Sequence, residues 1–484
     1  MSSDFIKTCF RVCLFAIILI HSSCSKNDSD LKPVIPITPQ PPVATDVAFW
    51  LTSADQGTLF KKQNMALIFK DETNGNPTIV VDTTKTYQSI DGFGYTLTSG
   101  SASLIHSLSN DKRAALLKEL FSTDSTFIGV SYLRISIGAS DLSESPYTYD
   151  DVPNGQTDVD LAHFSLDAEM THLIPLLKEI LAINPAIKIL GSPWSAPVWM
   201  KTNNNFVGGS LNTTYYTTYA NYFVKYIQGM TEEGINIDAI TLQNEPLNPH
   251  NNPSMSMSSS EQANFIKNNL GPAFATATIN TKIILYDHNC DVPSYPLDIL
   301  ADPSANAYSD GSAFHLYGGN ITALTEVHNA YPQKNVYFTE QWTSSTGGFA
   351  GDLNWHVKNL IIGATRNWSK NVLEWNLAND TQFGPHTDGG CTTCLGAITV
   401  GSGIARNVSY YIIAHASKFV RPGSVRVDSN LAGSLQNVAF QRADGTKVLI
   451  VLNDSNGSQT FNIKFKNKVV TASLGGGAVG TFVW

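Results

Sequence analysis

Two apolar runs in this chain end in a carboxylate. The first is 238–246, Asp-Ala-Ile-Thr-Leu-Gln-Asn-Glu-Pro, and the second is 335–340, Asn-Val-Tyr-Phe-Thr-Glu. Residues 237–242 are rich in β-branched side chains and read as a strand covered on both faces. Pro246 has no N–H and biases its predecessor away from helical geometry, so Glu245 is expected in extended backbone where strand gives way to loop. A carboxylate at the C-terminal mouth of a parallel strand is where barrel and open α/β enzymes keep their chemistry. Two such carboxyls with aromatic neighbours suit cleavage of a glycosidic bond. That reaction needs one carboxyl protonated, to release the leaving oxygen, and one ionised, to meet the oxocarbenium-like centre. Glu245 and Glu340 are the candidates.

The elements that must position them are legible as alternation. Strand-like stretches fall at 89–97, 132–138, 187–192, 237–243, 282–287, 312–316, 335–339 and 372–377. Helix-like patterns lie between them, at 112–121, 165–181, 214–233, 261–270 and 353–365. Eight strands with intervening helices predict an α/β chain folded as a (β/α)8 TIM barrel. Its strand ends would present Thr98 and Ser99, Arg134 with 136–141, Trp194, Asn244 and Glu245, Asp287 and His288, His315 with Tyr317, Glu340, and Trp375 with Asn376. Short period-two runs flank the barrel, at 47–52, 65–69 and 78–82 before it and at 425–427, 437–442, 447–453, 460–465 and 479–484 after it. They predict a side β-sandwich built from both chain ends. The expected organisation is 1–24 a signal peptide of lipoprotein type, 25–45 a Pro-rich linker, 46–88 and 417–484 the two parts of the side domain, and 89–416 the catalytic barrel.

A net charge of -9 with 15% charged residues and no long basic run argues against nucleic acid as a partner. The apolar run 12–20 follows Lys7 and Arg11 and is far shorter than the ~20 residues of a membrane-spanning helix, so it reads as an export signal. Cys24 after Ser22-Ser23 resembles a lipoprotein box, and the acidic stretch behind it resembles a tag for the outer face of the outer membrane; periplasmic or secreted placement is the alternative. Beyond the signal, Cys391 and Cys394 form a C-x-x-C pair without a second pair at metal spacing, and in an exported chain a small loop disulfide is the expected use. Gly92-Phe-Gly94 lacks the third glycine of a dinucleotide loop, and no phosphate-binding loop, His-Glu-x-x-His or Gly-x-Ser-x-Gly elbow occurs. No cofactor or metal is expected, and the chain is expected to act as a monomer.

At these residues the sequence resembles glycoside hydrolase family 30, which contains glucosylceramidases and endo-β-1,6-glucanases. The resemblance rests on 91–94 with Thr98, 133–138, 192–197 followed by 199–203, 242–246, 315–317, 338–340 and 375–378. It implies a retaining mechanism with Glu245 as acid/base and Glu340 as nucleophile. Asn244 would hold the sugar 2-hydroxyl, and Trp194, Tyr317, Trp375, Arg134 and His315 would line or order the innermost subsite. On this reading Glu340 is ionised and Glu245 is kept neutral by burial and the adjacent charge.

Ser99 stands where glucosylceramidase-like members have an Asp, so a carboxylate that would clasp a terminal glucose is expected to be missing. That favours the β-1,6-glucanase branch, which the loops at 208–211 and 249–255 also resemble. The expected partner is therefore a β-glucan polysaccharide or oligosaccharide. The rival readings are a glucosylceramidase or exo-β-glucosidase and an inactive surface glycan-binding lipoprotein.

Overall fold

The structure, a computed structural model, describes residues 43–484. The expected signal, Cys24 and most of the linker lie outside the described residues. Eight parallel strands close into a barrel in simple chain order: Gly92–Thr96, Tyr132–Ile137, Lys188–Pro193, Ala239–Thr241, Lys282–Cys290, Ser309–Gly319, Asn335–Glu340 and Ser369–Asn376. They coincide with the eight expected stretches. Close strand approach explains the first motif, because a Cβ on Gly94 would lie 1.8 Å from the Tyr132 carbonyl oxygen on the next strand.

The helices form where apolar spacing allows one face to pack inward. In Tyr216–Glu232 the buried residues Tyr219, Tyr222, Phe223, Tyr226, Ile227 and Met230 follow the three-and-four spacing of one helical face. Ser258 and Glu261 close a capping box at Ser259–Phe265, and Asp302 caps Pro303–Tyr308. The strong pattern at 165–181 becomes a shorter helix, Leu173–Ile183, because 165–169 spends its polar groups in turns. Other, shorter helices, including Ser99–His106 and Val408–Ser417, had too few periodic positions to be read.

The barrel interior is layered. Tyr132, Leu190, Ala239, Ile284, Ala313, Tyr337 and Leu373, from seven strands, form one enclosed apolar cluster. Two residues further along the strands stand Arg134, Ser192, Thr241, His315, Thr339 and Trp375, all buried. Side chains two apart share a face, so this second layer points the same way, one step nearer the C-terminal mouth. The fifth strand breaks the rhythm. Tyr286 would be its second-layer residue, but Tyr286 and Asp287 have φ of +71° and +66°, and the register shifts between Tyr286 and His288. This bulge puts Asp287 into the layer and turns Tyr286 outward, where its N–H meets the Gln262 side chain.

Both chain ends supply the side domain. Its nine strands are hydrogen-bonded in series, with Ala48–Thr52, Lys61–Lys62 and Thr78–Ser89 from the N-terminal side and six from Val425–Ser429 onward. Four strands separate Gln459–Phe465 from Val479–Val483 in that series, yet the Phe461 and Phe482 rings are 5.9 Å apart. The sheet therefore folds over its own core, which gathers Phe49, Val81, Val427, Leu449, Phe461, Val470 and Phe482. The opposite residues of the same strands, among them Val438, Phe440, Val448 and Ile450, join the barrel's outer core. The expected strand at 65–69 does not form; only Lys70 bridges to Val469.

Candidate active site

A cavity of about 530 Å³ opens at the C-terminal mouth of the barrel. Its lining includes Trp194, Asn244, Glu245, Tyr317, Glu340 and Trp375, so six of the nine expected site residues come together there. Glu245 and Glu340 are both buried, at 7% and 6% exposure. A carboxylate oxygen of each, with a ring nitrogen of His315, lies within 4.8 Å of the others. Three such atoms could ligate an ion, but the Arg134 charge already occupies Glu340, which opposes a second cation there.

Glu340 accepts from Arg134 Nη1 at 2.6 Å and from the Tyr317 hydroxyl at 3.0 Å. Glu245 is held by neutral amides, with Asn248 and Asn251 donating to Oε2 at 2.7 and 3.2 Å, and His315 Nδ1 stands 3.3 Å from Oε1. Arg134 Nη2 donates to Asn244 Oδ1 at 2.6 Å, which leaves the Asn244 amide nitrogen for the cavity. The guanidinium carbon lies 4.8 Å from the centre of the Trp194 ring, whose neighbour Trp375 is 5.5 Å away. Contrary to expectation, Glu245 is not extended: its φ is +46°, with its N–H on the Asp287 carbonyl at 2.9 Å. A left-handed, non-glycine residue at a strand end costs roughly 1–3 kcal/mol and persists where surrounding contacts impose it.

Three expectations for individual residues change. Ser99 does not reach the cavity, because it begins the helix Ser99–His106 and gives its hydroxyl to Ser143 at 2.6 Å. Arg134 and His315 are fully buried beneath the cavity floor, so they order the carboxylates and do not touch a bound sugar. The missing carboxylate is also supplied, by Asp141 in the cavity wall. Burial and the two glutamates push Asp141 up to about 7, although the Cys391 N–H favours its ionised form. Trp342, Asn248 and Asn251 also line the cavity, and no periodic signal marked them. The Cys391–Cys394 disulfide completes the wall against Trp194 and Trp375.

The charge distribution differs from expectation as well. Burial alone would raise Glu245, but the hydrogen bond and charge of His315, with help from His288 and Asn248, bring it down to about 2. Burial raises Glu340, reinforced by Glu245 and Asp287 and opposed by His315 and Arg134. Burial also disfavours a charged imidazole, yet Glu340, Asp287 and Glu245 lift His315 to about 9. Arg134 and protonated His315 thus face Asp287, Glu245 and Glu340. The lowering of Glu245 and the raising of His315 both favour an ion pair across the 3.3 Å contact between Glu245 Oε1 and His315 Nδ1, where a proton on Glu245 was expected.

The profile of the glycosyl hydrolase family 30 TIM-barrel domain matches residues 90–420, and that of the family's beta sandwich domain matches 423–482. This chain belongs to glycosyl hydrolase family 30. The family 30 chain is 38% identical over 396 residues to an endo-1,6-beta-D-glucanase of Aspergillus fumigatus, covering 76% of this chain and 78% of that one. It is 29% identical to the mouse lysosomal acid glucosylceramidase, over 83% of this chain and 82% of that one. Among solved structures it matches the endo-beta1,6-glucanase BT3312 with a TM-score of 0.85 and 36% identity, covering 91% of this chain and 99% of that one. As a family 30 enzyme it is a glycoside hydrolase with the barrel and side sandwich described above.

Proposed function

We propose that this hydrolase is an endo-β-1,6-glucanase acting with retention, with Glu245 as acid/base and Glu340 as nucleophile. The observation that carries the mechanism is the approach of their carboxylate oxygens to within 4.8 Å. Retaining pairs stand about 5–5.5 Å apart, and inverting pairs about 6.5–9.5 Å, to admit a water. Glu340 attacks the anomeric carbon as the glycosidic C–O bond breaks, and Glu245 passes its proton to the leaving oxygen. Water then replaces Glu340 on the sugar and returns a proton to Glu245. Arg134 and Tyr317 hold the nucleophile in line, and Trp194 and Trp375 offer faces for the sugar ring.

The endo-1,6-β-glucanase relatives at 37–38% identity support the linkage. Asp141 favours a second reading, an exo-β-glucosidase, because it restores a carboxylate able to clasp terminal hydroxyls. Product profiles on β-1,6-, β-1,3- and β-1,4-glucans decide. Short oligosaccharides from the β-1,6 polymer alone, released first as the β-anomer, are expected; glucose as the sole product would favour the exo reading, and an α-anomer would sink retention. The leader from Lys7 to Cys24 supports a lipid-anchored, cell-surface placement as part of this proposal, with the enzyme working as a monomer.

A further inference from the structure

Asp287 is fully buried and does not line the cavity, so it cannot touch a bound sugar. It nonetheless collects five side-chain donors from five other barrel strands. Its Oδ2 accepts from Arg134 at 2.8 Å, Thr241 at 2.7 Å and Ser192 at 3.2 Å, and its Oδ1 from Thr339 at 2.6 Å and His315 Nε2 at 3.1 Å. Two of these donors, Arg134 and His315, are the cations that reach Glu340 and Glu245 with their other ends. The bulge at Tyr286 and Asp287 exists at a cost in backbone strain, and its effect is to bring this carboxylate into the layer.

We propose that Asp287 is a positioning residue that stations His315 as the proton store for the acid/base Glu245. This deepens the retaining assignment above and rests on it. With Nε2–H fixed on Asp287, the nitrogen free to exchange is Nδ1, which stands 3.3 Å from Glu245 Oε1 and 3.8 Å from Glu340 Oε1. The transfer balances simply. The Nδ1–H bond breaks as a Glu245 Oε1–H bond forms, and the ion pair of imidazolium and carboxylate becomes a neutral imidazole beside a carboxylic acid. Glu245 then protonates the leaving oxygen, and the proton it takes from water in the second step can return to Nδ1. Besides these groups, His315 faces His288 and Tyr317, with ring centres 6.3 and 6.0 Å away, and Arg134 through the shared carboxylates. The store keeps the acid supplied well above the range where an isolated glutamic acid would be ionised.

The test is the pH profile of kcat/KM for Asp287→Asn and His315→Gln against wild type. It is read on whichever β-linked oligosaccharide the wild type cleaves, alongside a dinitrophenyl β-glucoside whose leaving group needs no acid. On the oligosaccharide the alkaline limb should move down by at least one pH unit in both variants, with KM within threefold. On the dinitrophenyl glucoside the fall in kcat should be several-fold smaller. A uniform loss at every pH, equal on both substrates, would make Asp287 merely structural and overturn the proposal. If Asp287→Asn does not fold, His315→Gln carries the same kinetic prediction. In the wild type the His315 ring 15N signals must then show Nδ1 losing its proton only at alkaline pH; loss near pH 6 would refute the store. A wild type cleaving a linkage other than β-1,6 would overturn the glucanase reading and leave this test intact.

Discussion

The two glutamates illustrate how one residue type takes two roles from its neighbours. Glu340 faces a guanidinium and a phenol, whereas Glu245 faces two amides and an imidazole. Replacing Glu340 by Gln keeps its volume and removes the attacking oxygen, so turnover should vanish while substrate binding stays within a few-fold, as measured by calorimetry. Glu245→Gln should slow glycosylation by about 10²–10⁴-fold, the usual contribution of a general acid, with the largest loss on poor leaving groups. Full activity in either variant would refute the assignment. These two residues were legible because each closes an apolar strand. Asp287 was visible only as one more strand-end group, since its importance depends on two positive φ angles that no residue pattern announces. Ser99 misled for a related reason. Its place after the first strand is correct, but a helix begins there and turns its hydroxyl to Ser143.

Among the elements, strands were read better than the loops that finish the site. Continuous apolar runs mark buried parallel strands, and period two marked most of the flanking sheet. The loop that holds the disulfide had no such signature, yet it shapes the cavity. Its Thr387 and Gly390 pack on the Asp141 backbone, where Thr387 N–H meets the Asp141 carbonyl at 2.9 Å, and Cys394 pairs with Ser344 just beyond the nucleophile. Opening so small a ring costs about 2 kcal/mol on chain entropy alone. The effect on the sugar should be larger than that on the fold. Cys391→Ser with Cys394→Ser is expected to raise KM about tenfold with kcat within threefold and only a few degrees lost in Tm, and Asp141→Asn should raise KM alike. If KM stays put while Tm falls, the loop is a brace and not a wall of the subsite.

For the molecule as a whole, the joint between barrel and side domain carries its own acid sensitivity. His415, on the last barrel helix, is fully buried with its ring nitrogens 2.8 Å from Thr481 and Thr52. Burial lowers it to about 3, so it is neutral in the fold. The unfolded chain binds that proton near pH 6.5, so below this point the unfolded state holds more protons and stability falls as pH drops, by about 1.4 kcal/mol per unit down to about pH 3. Denaturant titrations between pH 7 and 4 should show this slope, and His415→Gln should flatten it; an unchanged slope would assign the sensitivity elsewhere. The barrel's strand count was legible because βα alternation repeats. The joint was not, because it depends on which distant residues meet one histidine.

That joint also bears on synthesis. Ala48–Thr52 pairs along its length with Val479–Val483, and Trp484 exchanges backbone hydrogen bonds with Lys447. The strand made early is therefore completed only by residues that leave the ribosome much later. Throughout elongation it presents an open edge, at risk of pairing with another nascent chain. A ribosome stalled before residue 479 would leave a barrel whose catalytic side chains are all present but whose side sheet lacks the strand that pairs with Ala48–Thr52.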